Sequence, residues 1–158
     1  MDRKHHIDIL DKEIIELLVL NARESYLEIA KKLKISNSLV HQRIRKMKDV
    51  GLIKGSYLEL DPKILGYHTF AYTGISLKEG RFTKSVANSL KKIKEVVEYN
   101  FVTGKYAIFV KLYAKNNEHL QKVLYEQIHY IEGVSSTDTF IAFESFSRHV
   151  SIPPYSIH

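Results

Sequence analysis

The stretch SNSLVHQRIRKMKDVGLIKG, Ser36 to Gly55, decides how the first third of this chain is read. Ser36 can cap a helix, and Val40, Ile44 and Met47 recur behind it at helical spacing. Gly51 can supply the left-handed residue that ends the helix after about Val50. At about 100° per residue, Val40, Ile44 and Met47 fall together and should pack inward. Ser38, Gln42 and Arg45 then point the opposite way, with His41 on one flank and Lys46 on the other. Such side chains suit a DNA duplex: arginine to guanine, glutamine to adenine, serine and lysine mainly to the backbone. The same face without a partner would be an ordinary solvated surface.

The neighbouring residues decide between these. Between Lys31 and Lys54 the cations are Lys31, Lys32, Lys34, Arg43, Arg45, Lys46, Lys48 and Lys54, and the only acid is Asp49. Upstream, Asp8 can cap a first helix reaching about Asn21, with Leu10, Ile14, Leu17 and Leu18 on one face. Ser25 and Glu28 have the spacing of a reciprocal capping box, opening a second helix with Tyr26, Ile29, Ala30 and Leu33 inward. Lys34-Ile35 leaves room only for a turn before Ser36. Three helices with so tight a second turn form a helix-turn-helix. GLIKGSYLELDP should then give a short strand and turn, placed as a wing. The candidate DNA contacts are Ser36, Asn37, Ser38, His41, Gln42, Arg43, Arg45, Lys46 and Lys54. Arg43 lies at the border of the packed face, where it can reach DNA or pair with an acid of the first helix.

The second half changes period. HTFAYTGISL, EVVEYNFV, YAIFVKLYA and TDTFIAFESF read as strands, and FTKSVANSLKKI and NNEHLQKVLYEQIHYI as helices. The order βαββαβ is ferredoxin-like, so the chain is α+β: a winged helix-turn-helix followed by a ferredoxin-like domain. VTGKYA, punctuated by Gly104, is the hairpin between the middle strands. In the third strand Tyr106, Ile108, Val110 and Leu112 should alternate with Ala107, Phe109, Lys111 and Tyr113. Two helices cover one face of a sheet. The other would leave aromatic surface exposed, including Phe109, Tyr113 and Phe143, which predicts self-association through the sheet. The expected division is 1–56 DNA-binding, 57–67 linker, 68–146 effector-binding and oligomerisation, and 147–158 tail.

Composition narrows the classes. The chain has 158 residues, a net charge of +6 and no cysteine. Disulfides, cysteine nucleophiles and cysteine-ligated zinc are excluded, and a cytoplasmic protein is expected. Its N-terminus is charged, without a signal-peptide apolar region. Eight histidines include His119 and His129, but no His-x-x-x-His pair occurs, so neither metal nor cofactor is expected. No nucleophile elbow or phosphate loop stands out, which argues against an enzyme.

Several motifs together carry a resemblance. They are ID-I-L-D at Ile7–Asp11, NAR at Asn21–Arg23, LEIAKKLKIS at Leu27–Ser36, VHQRIRKM at Val40–Met47, GLIKG at Gly51–Gly55 and LDPKILG at Leu60–Gly66. This N-terminal part resembles the DNA-binding domain of the Lrp/AsnC, or feast/famine, transcription regulators, and the likeness extends to about Phe146. It implies a sequence-specific DNA-binding regulator that dimerises by sheet packing, assembles further into tetramers or octamers, and often takes an amino acid as effector. It also implies candidate effector residues at the hairpin, Gly104, Lys105, Tyr106 and Ala107, and on the last strand, Thr137 and Thr139. Two positions depart from the family pattern. Ser56 stands where a tyrosine is usual, and Ala107 where the hairpin usually has an aspartate. Two other functions fit the same outline: an effector-independent protein that bends or wraps DNA, and a sirohaem-decarboxylase-like enzyme.

Overall fold

A computed structural model describes residues 7–144, and the expected tail at 147–158 lies outside the described residues. The chain divides into two compact units, with the boundary after Glu59.

The first unit holds α1 (Ile9–Leu20), α2 (Tyr26–Leu33) and α3 (Asn37–Asp49). Ile14, Ile29, Ala30, Val40, Ile44 and Met47 are its buried core, ringed by Leu10, Leu17, Leu18, Tyr26 and Leu33. The periodic positions therefore fall where the sequence places them. Lys34 adopts a left-handed conformation (φ 55°) and Gly51 another (φ 76°), which ends α2 and follows α3. The capping differs from expectation. Ser25 accepts from the N–H of Glu28 at 3.1 Å, but the Glu28 carboxylate turns to Lys31 at 2.8 Å. The full reciprocal box forms instead between Asp8 and Asp11 at the start of α1. An exposed glutamate with a cation one turn away has a competing partner, which the capping spacing does not report.

The expected wing strand is absent: residues 51–60 contain no strand. A strand must pair its backbone N–H and C=O groups, and among the described residues no other segment of this unit is a strand. Tyr57, Leu58 and Leu60 are left exposed.

The second unit runs β1 (Thr69–Leu77), α4 (Thr83–Leu90), β2 (Val96–Phe101), β3 (Ile108–Ala114), α5 (Asn117–Lys122), a π-helical turn (Val123–Ile128) and β4 (Val134–Ala142). The strands form one antiparallel sheet ordered β2-β3-β1-β4, as a ferredoxin-like fold requires. On one face Ala71, Ile75, Ile108, Val110 and Leu112 pack with Val86, Leu90, Leu120, Val123 and Ile128 of the helices. The opposite face carries a row of rings. Tyr113 stacks on Phe70 with centroids 5.0 Å apart, Phe70 meets Tyr72 at 4.9 Å, and Tyr72 meets Phe109 at 5.9 Å. Tyr106 follows Phe109 at 6.0 Å.

The hairpin inverts one expectation. Tyr106 joins Phe109 on the aromatic face, and Ala107 packs against the helix-side core. The alternation of β3 begins only at Ile108. The preceding residues belong to the turn, where Gly104 (φ 109°) breaks the two-residue period. Phe143, expected on the sheet, lies past the end of β4 and is exposed.

Gly133, just before β4, has φ 97°, and a Cβ there would lie 2.4 Å from Phe82. Gly133→Ala is expected to destabilise the unit by about 2–4 kcal/mol, from left-handed strain plus overpacking. Gly80→Ala, in open space without positive φ, should change little. Urea unfolding of both variants checks the contrast; equal midpoints would refute it.

Candidate DNA-binding face and effector site

Helix α3 sorts its side chains by depth. Val40, Ile44 and Met47 are buried at 0–2% exposure. Ser38, His41, Gln42, Arg45 and Lys46 are exposed, as are Ser36 and Asn37 at its start and Lys54 beyond its end. Ser36 is held in place as the cap: its hydroxyl accepts from the N–H of Leu39 at 3.2 Å and lies 3.1 Å from the Ser38 hydroxyl. The Tyr26 and His41 rings meet in a T-shaped contact with centroids 4.6 Å apart. Tyr26, expected only as core, therefore also fixes His41. A hollow of about 500 Å³ beside them is lined by Tyr26, His41, Gln42, Ile44, Arg45, Lys48 and Asp49.

Arg43 departs from the set. Its Nη1 donates to Asp8 Oδ2 and, at 3.3 Å, to Asp11 Oδ1. The hydrogen bond to Asp8 is the main reason the guanidinium is held in its charged form even more firmly than usual. Burial opposes ionisation of Asp8, but hydrogen bonds from the Asp11 N–H and Arg43 together keep its carboxyl below the ordinary value. Of the two roles open to Arg43 in the sequence, the structure presents the ion pair with α1.

The effector candidates lie on different sides of the sheet. Lys105 Nζ donates to Asp138 Oδ2 at 2.6 Å, and the Tyr106 hydroxyl donates to the same oxygen at 2.8 Å. Lys105 Nζ also stands 5.0 Å from the Tyr106 ring centroid. Hydrogen bonds from Lys105 and then Tyr106 hold the Asp138 carboxyl below its ordinary value, and Asp138 raises that of Lys105. Tyr106 belongs to the aromatic face. Thr137 and Thr139 face the helices: Thr139 Oγ1 is 2.9 Å from the buried Thr73 hydroxyl, and Thr137 Oγ1 is 2.6 Å from His129 Nε2. Ala107 lies on this helix side as well, while Gly104 forms the turn between. Asp138 and His129 were not legible as partners of the hairpin and the threonines, because both meet them only through tertiary structure.

Among the described residues, no helix is long and apolar enough to cross a membrane. Residues 7–48 match the family model for the AsnC-type helix-turn-helix domain, and 71–152 match that for the Lrp/AsnC ligand binding domain. The regulatory protein AsnC of Escherichia coli K12 is 38% identical over 139 residues, which cover 88% of this chain and 91% of that one. The HTH-type transcriptional regulator FL11 of Pyrococcus horikoshii is 35% identical over 93% of this chain and 96% of its own length. The structure of E. coli AsnC superposes with a TM-score of 0.88 at 36% identity, covering 94% of this chain and all of that one. A Neisseria meningitidis transcriptional regulator in complex with L-methionine shares the fold, with a TM-score of 0.84 at 18% identity over 92% of this chain and 96% of its own.

Proposed function

The chain belongs to the Lrp/AsnC family and is a DNA-binding transcriptional regulator rather than an enzyme, and we propose that α3 reads base edges through Ser38, His41, Gln42 and Arg45. Lys46 and Lys54 bind phosphates, and Ser36 and Asn37 bring the N-terminal N–H groups of α3 to the backbone. The observation that carries this reading is the division of α3: its apolar stripe is buried and the opposite face is polar, basic and exposed.

The protein acts in the cytoplasm as a dimer or larger assembly formed through the aromatic face of the sheet. Two copies of α3 can then address successive major grooves, roughly 34 Å apart. A small effector, an amino acid or a related molecule, modulates it at Gly104–Ala107 and Thr137–Thr139. The L-methionine complex of the Neisseria regulator supports that class of ligand. Lys105 and Tyr106 lie on the other side of the sheet from Thr137 and Thr139. A ligand that engages both sets therefore sits where a second copy completes the site.

A footprint on the DNA upstream of the protein's own gene, with and without a panel of amino acids, tests the whole reading. Diffuse protection without a defined boundary would favour a DNA-wrapping protein instead. Arg45→Ala and Gln42→Ala are each expected to lose about 1–3 kcal/mol of discrimination between operator and random DNA. Lys46→Ala should weaken binding to all sequences alike and flatten the salt dependence. Wild-type specificity in both of the first two variants would show that another face reads the bases.

A further inference from the structure

Each carboxylate at the start of α1 divides its two oxygens. Asp8 Oδ1 accepts from the N–H of Asp11 at 2.9 Å, and Asp11 Oδ2 accepts from the N–H of Asp8 at 3.4 Å. The remaining oxygens, Asp8 Oδ2 and Asp11 Oδ1, both receive Nη1 of Arg43. The reciprocal cap of α1 thus doubles as a fork that grips one arginine of α3. Asp11 is fully buried, and the Arg43 side chain is 26% exposed. Arg43 lies between Gln42, on the exposed face of α3, and buried Ile44. It is a cation beside the reading face that the fold turns inward.

We propose that Asp8 and Asp11 withhold Arg43 from DNA, so that Arg43 fixes α3 against α1 and makes no phosphate contact, and that this acid fork limits sequence-independent binding. The inference rests on α3 being the DNA-binding helix. The charge arithmetic gives it content. Each phosphate neutralised by a protein cation adds about 0.9 to the slope of log affinity against log salt and tightens binding to every sequence. A guanidinium paired with two carboxylates adds nothing to that slope. Released, it would strengthen binding to random DNA as much as to an operator, and the ratio that defines specificity would fall. Asp8 and Asp11 are positioning residues for α3 and touch no DNA themselves.

The test is a salt titration of full-length protein on a mixed-sequence duplex. Arg43→Gln is expected to leave the slope at the wild-type value. Asp8→Asn with Asp11→Asn should steepen it by about 0.9 for each α3 on the duplex, about 1.8 for a dimer, and raise affinity several-fold, because asparagine still caps a helix but no longer holds a cation. Adding Arg43→Gln to that pair should return the slope to wild type, which separates release of Arg43 from a general change in net charge. A flatter slope in Arg43→Gln alone overturns the proposal, since Arg43 would then be a phosphate contact. An unchanged slope in the double variant, with helical circular dichroism retained, also overturns it. If the double variant does not fold, Asp8→Asn alone, at a side chain that is 40% exposed and keeps its capping role as asparagine, leaves only the 3.3 Å contact to Asp11. It should steepen the slope by a smaller amount that Arg43→Gln abolishes, and a gain that survives Arg43→Gln overturns the proposal. Lys46→Ala in the same series should flatten the slope. If it does not, the assignment of the DNA-binding face has failed, independently of the fork.

Discussion

Phe140→Asp and Tyr72→Asp are each expected to turn the protein into monomers at micromolar concentration and to weaken binding to a two-half-site operator by about 10²–10⁴-fold. Phe140 is 54% exposed and Tyr72 37%, and they pair directly across β4 and β1. An acid at either position stays solvated in a single copy, so the fold should persist. In a sheet-to-sheet dimer it would be buried without a partner, and burying an unpaired charge is prohibitive. The face is large enough to matter. An aromatic ring carries roughly 150–250 Å². None of the five rings from Tyr113 to Tyr106 is more than 37% exposed, so together they offer at most about 300–450 Å², up to about half of one partner's share of a stable interface. The loss in operator affinity follows from linkage. Joining two DNA-binding units makes the second contact intramolecular, and that advantage is commonly about 10²–10⁴-fold. Affinity of one unit for a single half-site should be unchanged, because the helix-turn-helix is a separate compact unit. Sedimentation and gel shifts read both effects. A variant that keeps its fold and still sediments as an oligomer would show that another surface joins the copies.

What the sequence made legible follows from what is local. The buried stripe of α3 and its exposed reading face are consequences of one period, 3.6 residues, and Val40, Ile44 and Met47 obey it without exception. The β3 core of Ile108, Val110 and Leu112 obeys a period of two in the same way. Legibility fails where a partner is distant in sequence or the period breaks. Glu28 had a capping position to fill and took Lys31 instead. The wing segment has strand-like residues and, among the described residues, no neighbouring strand in its unit. Tyr106 and Ala107 exchange faces because Gly104 resets the alternation before β3 begins. The Arg43 fork joins residues more than 30 positions apart, and the Asp138 contacts do the same. Periodicity carries no information about such pairs. The sequence could name Arg43 as ambiguous but could not choose.

The second large effect concerns the residue at the end of the hairpin. Wild-type protein is expected to bind unmodified α-amino acids weakly, with dissociation constants well above the micromolar range. An ammonium group taken out of water needs an anionic or hydrogen-bonding partner. Ala107 offers neither, and its side chain rests against the helix-side core. The carboxylate that contacts this hairpin is Asp138, but its Oδ2 already accepts from Lys105 and Tyr106, and it reaches them on the aromatic face. Thr137 and Thr139 remain able to meet a ligand carboxylate only from the helix side, where His129 and Thr73 already contact them. The amino end of the ligand is thus the unmet half. Ala107→Asp should supply it, because position 107 lies on the same side of the sheet as the two threonines and is only partly buried. Removing one member of a buried, hydrogen-bonded charge pair costs about 2–5 kcal/mol. Restoring the acid should therefore tighten amino-acid binding by about 30-fold or more in calorimetric titration. The gain should vanish for the corresponding carboxylic acids without an amino group, since these present no ammonium to the new carboxylate. Submicromolar binding of an ordinary α-amino acid by the wild-type hairpin would mean that another group meets the ammonium, and that Ala107 does not decide the effector.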